Sequence, residues 1–196
     1  MRAFPRVRTN PLPVSTLDPR TALIVVDLQS GTVRNPTVHP IEGVVANAAS
    51  LIAAFRRRDL PVLIATVDGT AAGRAEYGRG ASAWPDEMTT LVPEIVAERG
   101  DILVTRRAWS VFANTDAAAQ LSEAGVTQVV IVGLATSFGV ESTARDAYDA
   151  GLNVVVAIDA ISDMRAEAHE NSVTRIFPIL GETGTTEEIV TLLEAR

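Results

Sequence analysis

Five short apolar runs, separated by segments of helical periodicity, set the strongest limit on how this chain can fold. They are residues 22–28 (ALIVVDL), 61–67 (PVLIATV), 101–106 (DILVTR), 128–134 (QVVIVGL) and 153–159 (NVVVAID). Their β-branched residues follow one another with little polar alternation. A strand with one wet face alternates, so these runs read as strands buried on both faces, in a parallel sheet covered by helices. Residues 42–58, 115–124 and 138–150 carry apolar residues at helical spacing between the runs. Thr115 and Asp116 supply a start for one of these helices, and Gly151 a stop for another. A further helix is expected from Asp163 through Ile176, and a last one from Thr186 to near Glu194. This alternation predicts an α/β fold. The expected form is a single doubly wound, Rossmann-like three-layer domain, with a mainly parallel sheet of about six strands and helices on both faces.

Composition narrows the function. The 196 residues suit one domain, and a hydrophobic content of 47% supports a large core. A net charge of −7 opposes binding to nucleic acid or to an anionic membrane surface. No run of 18 apolar residues is present, so no transmembrane helix is expected. The absence of cysteine removes disulfides, thiolate nucleophiles and cysteine-based zinc sites, and fits a cytoplasmic protein. Residues 1–20 hold four arginines but lack the apolar stretch of a secretory leader. Prolines 5, 11 and 13 oppose a helix there. Residues 1–20 therefore read as an arm that packs on the surface or reaches across a dimer, with the domain proper over 21–196.

In open parallel sheets ligands bind beyond the carboxyl ends of the strands. The residues to inspect are thus Asp27 to Gln29, Asp68, Arg106 and Arg107, Leu134 to Thr136, and Asp159. Residues 68–92 are rich in Gly and polar side chains and are expected to be a largely irregular lid or binding loop.

Three motifs carry a family resemblance: VVDLQ at 25–29, TRRAWSVFANTD at 105–116, and GLATSFGVESTARDAYDAG at 133–151. In this order and spacing they resemble the isochorismatase-like hydrolases, which include nicotinamidases, carbamoylases and isochorismatases. The resemblance covers roughly residues 20–196. Cysteine-bearing members of the family use an Asp, a Lys and a Cys. The resemblance puts Asp27 at the first position, Arg106 at the second and Gly139 at the third. Glycine cannot attack a carbonyl, so covalent catalysis at that position is excluded. True isochorismatases also carry Gly there and cleave a vinyl ether without a covalent intermediate.

The resemblance thus implies a cysteine-independent hydrolase of a small anionic metabolite, with vinyl or enol ether hydrolysis as the leading chemistry. Asp27 would be the general acid or base. Arg106 either pairs with Asp27 or clamps a substrate carboxylate. A cis bond between Leu134 and Ala135 would aim backbone amides, with that of Gly139, at the substrate. Gln29 and Thr136 would orient the ligand, Trp109 and Phe112 wall the pocket or pack in the core, and Arg74 of the long loop contact an anion. Tyr77, Arg79 and Trp84 share that loop. His39 sits near the expected pocket mouth and His169 on a helix, without the spacing of the family's metal ligands. No metal is expected, and with water as the second reactant no organic cofactor is implied. The alternative is a catalytically inactive small-molecule-binding relative. The expected partners are a small-molecule substrate and further copies of the chain, in a homodimer or homotetramer.

Overall fold

The structure, a computed structural model, describes residues 13–76 and 82–195. In chain order its elements are β1 (Thr21–Val26), α1 (Ser30–Val33), α2 (Ile41–Arg56), β2 (Val62–Val67), β3 (Gly69–Thr70), β4 (Ser82–Ala83), α3 (Asp86–Thr89) and β5 (Ile102–Arg106). They continue with α4 (Ala117–Glu123), β6 (Gln128–Leu134), α5 (Glu141–Asp149), β7 (Asn153–Ser162), α6 (Ala166–Asn171), α7 (Phe177–Leu180), β8 (Glu182–Gly184) and α8 (Thr186–Glu194). π-Helical turns at Thr136–Val140 and Ser172–Ile176 lead into α5 and α7.

Each apolar run forms a strand of one six-stranded sheet, ordered β5-β2-β1-β6-β7-β8. Every pairing in it is parallel. Successive side chains of a strand face opposite sides, and both sides are apolar, so the sheet needs two covering layers. Leu23 and Val25 of β1 pack with Val44, Ala48, Leu51 and Phe55 of α2 and with Ile189 and Leu193 of α8. Ala22, Ile24 and Val26 face the other way, onto Ala117 and Leu121 of α4, Ala144 and Ala147 of α5, and Phe177 of α7. The chain is therefore a three-layer α/β fold. No helix among the described residues is long and apolar enough to cross a membrane.

Three local expectations change. The last strand read as 153–159 runs on to Ser162, because a register irregularity opposite Ile131 and Gly133 lets Asp159 sit within it. The carboxylate of Asp159 accepts from the backbone N and Oγ1 of Thr186, tying down the start of α8. Within 68–92, a two-stranded antiparallel pair, β3 with β4, and the short α3 replace a wholly irregular loop. Asp163 does not open a helix. α6 begins at Ala166, and the Asp163 carboxylate turns instead to Ser137. The sixth strand, β8, comes from the GETG segment, whose strand is three residues long.

Of the arm, Val14 and Leu17 are buried in the α2–α8 side of the core, and Ser15 donates from its backbone N and its hydroxyl to Glu182. Residues 1–12 lie outside the described residues.

Candidate active site

The strand ends build the site. β1 stops at Val26 because Asp27 takes φ +50°, a left-handed conformation that Asp tolerates better than most residues. The turn is held in place by backbone and side chain together. Asp27 N donates to Ala65 O at 3.0 Å, and the Thr32 hydroxyl donates to Asp27 O. This presents the Asp27 carboxylate to a cavity of about 230 Å³ at the carboxyl end of the sheet.

Gly139 lies in the π-helical turn after β6. A Cβ there would meet Val26 Cγ1 at 2.9 Å and Leu134 O at 3.1 Å, so even a small side chain would require a neighbour to move. The peptide bond between Leu134 and Ala135 is cis, as the resemblance implied. Leu134, Ala135 and Gly139 all line the cavity.

Arg106 ends β5 and is 4% exposed. Its guanidinium takes Asp27 in a two-pronged ion pair, Nη1 to Oδ1 and Nη2 to Oδ2, the second at 3.0 Å. Nη2 also donates to Trp109 O at 2.9 Å. Nε has no hydrogen-bond partner among the described residues. The fork is thus spent on protein groups, and Arg106 does not line the cavity. Of the two roles weighed for it, the geometry favours pairing with Asp27 over clamping a substrate. Burial pushes the Asp27 carboxyl above the ordinary carboxylate range, while the charge and hydrogen bonds of Arg106 pull it back.

The remaining candidates divide between the cavity and its supports. Trp109 is on the wall, its ring edge-on to Phe138 at 5.0 Å between centroids. Phe112 packs instead against the core beneath α4 and α5. Gln29 is wholly buried and is not among the residues that line the cavity. Its amide Nε2 donates to Val67 O and Thr89 O, and its Oε1 accepts from Val67 N. It pins the loop after β1 to the end of β2. Thr136 is buried and shares a hydrogen bond of 2.9 Å with His169 Nδ1. His169 in turn meets His39 ring to ring at 4.7 Å, and neither lines the cavity. Burial and the neighbouring His39 lower the His169 pKa, against a smaller opposite pull from Asp163. Arg74 is exposed and off the cavity wall. Tyr77 and Arg79 lie outside the described residues.

Three lining groups carry more than the sequence reading gave them. Asp163 accepts from the backbone N and the hydroxyl of Ser137, at 2.7 and 2.8 Å, and so holds the turn that carries Gly139. Trp84, at the end of the β3–β4 pair, donates its backbone N–H to Asp68 O and walls the cavity. Arg107 lines it too, with Nε donating to Asp68 Oδ1 at 2.8 Å. The pairing holds the exposed Asp68 carboxyl below its usual range. Extending the last apolar run through AIS to residue 162 would have put Asp163, rather than Asp159, at a strand end. No group of three or more potential metal ligands occurs among the described residues.

Comparison with known proteins agrees with this architecture. The chain is 36% identical over 181 residues to YwoC of Bacillus subtilis, described as an uncharacterized isochorismatase family protein, covering 87% of this chain and 93% of that one. It is 36% identical over 183 residues to YecD of Escherichia coli O157:H7, described in the same terms, with 88% and 96% covered. A solved isochorismatase family protein from Burkholderia thailandensis superposes with a TM-score of 0.88 at 36% identity, over 92% of this chain and 99% of that one. The isochorismatase domain model matches residues 21–188, from the first residue of β1 into α8, and so takes in every strand of the main sheet. With the sheet order, the strand-end site and the matched span in agreement, the chain belongs to the isochorismatase family of hydrolases.

Proposed function

We propose that the protein is a cysteine-independent hydrolase of a small anionic metabolite, with vinyl or enol ether hydrolysis as its leading reaction. One observation carries the reading: a buried carboxylate, Asp27, faces an open cavity that is also lined by Gly139, a position with no side chain and with room for one only if a neighbour moves. A site of this form can move a proton but cannot form an acyl-enzyme through that position.

Asp27, protonated, donates its proton to the terminal vinyl carbon. The ether oxygen then shares the positive charge of an oxocarbenium ion. Water adds to the ether-bearing carbon and returns a proton to Asp27, and the hemiketal collapses to a ketone and an alcohol. Burial favours the protonated acid this step needs, and Arg106 holds the carboxyl in one orientation between turnovers. The backbone amides of Ala135 and Gly139 polarise the ligand. In this reading Gly139 stands where cysteine-bearing relatives have their nucleophile, and Arg106 where they have lysine. The protein works in the cytoplasm as a homodimer or homotetramer.

The test is pyruvate release from isochorismate by the wild type beside Asp27→Asn. The expected result is release by the wild type and a loss of about 10²- to 10⁴-fold in the variant, the usual worth of a general acid. Release that persists in Asp27→Asn removes Asp27 from the chemistry. No release from the wild type removes isochorismate as substrate. One observation favours the second reading, a ligand-binding relative without turnover: Arg106 is pressed directly onto Asp27, leaving no gap for a ligand between them. Turnover in the same assay discards that reading.

A further inference from the structure

We propose that Arg107, rather than Arg106, selects the ligand, by holding the carboxylate of a flat, ring-bearing acid. The inference rests on the reading of this cavity as the substrate site of a small-molecule hydrolase. Among the described lining residues three are charged: Asp27, Asp163 and Arg107. The first is engaged by Arg106 and the second by Ser137 and the backbone N of Arg165. Among the described lining residues, an anion entering the cavity therefore meets one cation, Arg107.

The guanidinium of Arg107 is oriented for this task. Its side edge is turned to Asp68, with Nε to Oδ1 at 2.8 Å and Nη2 to Oδ2 at 3.4 Å. Nη1 makes no hydrogen bond among the described residues, so the end edge of Nη1 and Nη2 is open. That edge is a fork matched to a carboxylate. The Asp68–Arg107 pair is exposed, and such pairs add little stability. Here Asp68 is a positioning residue that fixes the plane of the fork.

The rest of the wall selects shape. Trp84, Trp109, Phe138, Leu134 and Met164 give an apolar lining with aromatic surfaces. The edge-on contact of Trp109 and Phe138 leaves indole surface exposed for a planar ring, Trp109 being 61% exposed.

The test uses benzoate and benzamide, which share a shape and differ in charge, titrated calorimetrically into wild type, Arg107→Gln and Arg107→Lys. The wild type is expected to bind benzoate about tenfold more tightly than benzamide, the usual worth of a charge-assisted pair. Arg107→Gln should abolish that preference while leaving benzamide affinity unchanged, which also shows that the cavity remains folded. Arg107→Lys should restore part of the preference. Equal binding of the two ligands by the wild type, no binding of either, or an equal loss of both in Arg107→Gln overturns the proposal. Benzoate has no bond to hydrolyse, so the outcome is independent of Asp27 chemistry. Charge-selective benzoate binding without pyruvate release would remove isochorismate as substrate and leave the role of Arg107 standing.

Discussion

At the scale of single residues, Asp27 is governed by two opposed forces. Removal from water favours its protonated form, and a permanently charged guanidinium favours the carboxylate. A lysine in that place could relieve the tension by losing its proton, whereas Arg106 cannot. Removing the charge in Arg106→Gln takes away the influence that lowers the pKa, so the Asp27 pKa rises. An enzyme that needs Asp27 protonated loses rate as pH rises through that value. The alkaline limb of its pH–rate profile is therefore expected to move to higher pH in the variant, and an unmoved limb would show that it belongs to another group. The pair also bears on stability. Asp27→Asn strands a buried guanidinium, for which about 3–5 kcal/mol of lost stability is the usual range, readable as a lower denaturant midpoint. Asp27 and Arg106 were legible in the sequence because each closes an apolar run. The role of Gln29 was not, since nothing in VVDLQ tells an amide facing a ligand from one bonded to two backbone segments. Asp163 was hidden because Asp159 breaks the run before its strand ends.

At the scale of elements, backbone contacts decide where the site lies. β6 approaches β1 so closely that a Cβ on Gly133 would stand 2.0 Å from Val26 O, and Gly133 has φ +113°. Gly133→Ala should therefore destabilise the fold by about 3 kcal/mol or more, through clash and strain together, measured as a shift in denaturant midpoint. Gln29→Met keeps the side chain's bulk but removes its three hydrogen bonds to Val67 and Thr89. A loss of about 1–3 kcal/mol is expected, because Val67 N and O stay buried without partners. If only ligand affinity fell, Gln29 would be a binding residue instead. The five long strands were readable because β-branched runs of that length have few other uses. β8 was not, since three residues of Glu, Thr and Gly hold no periodicity. The π-helical turn at Thr136–Val140 reads in sequence as the first turn of α5, because apolar spacing does not separate the two.

For the whole molecule, the sheet order places β1 and β6 at the centre, with residues of both strands in each of the two core layers. The fold class was legible from alternation alone, whereas the strand order required the pairings themselves. The described residues offer no cluster of three metal ligands. Dialysis against a chelator is accordingly expected to leave pyruvate release unchanged. A loss restored by one divalent cation would assign the reaction a metal-dependent step.

The β3–β4 pair stands apart from the main sheet as its own two-stranded unit. Among the described residues from 69 to 83, none belongs to either core cluster, yet Gly69 and Thr70 border the cavity, and Trp84 follows directly. This piece of the cavity wall therefore lies outside the packed core, and substitutions in it, Gly69 apart, are expected to change ligand choice sooner than they threaten the scaffold beneath. Grafting residues 69–84 between relatives is the corresponding route for an engineer.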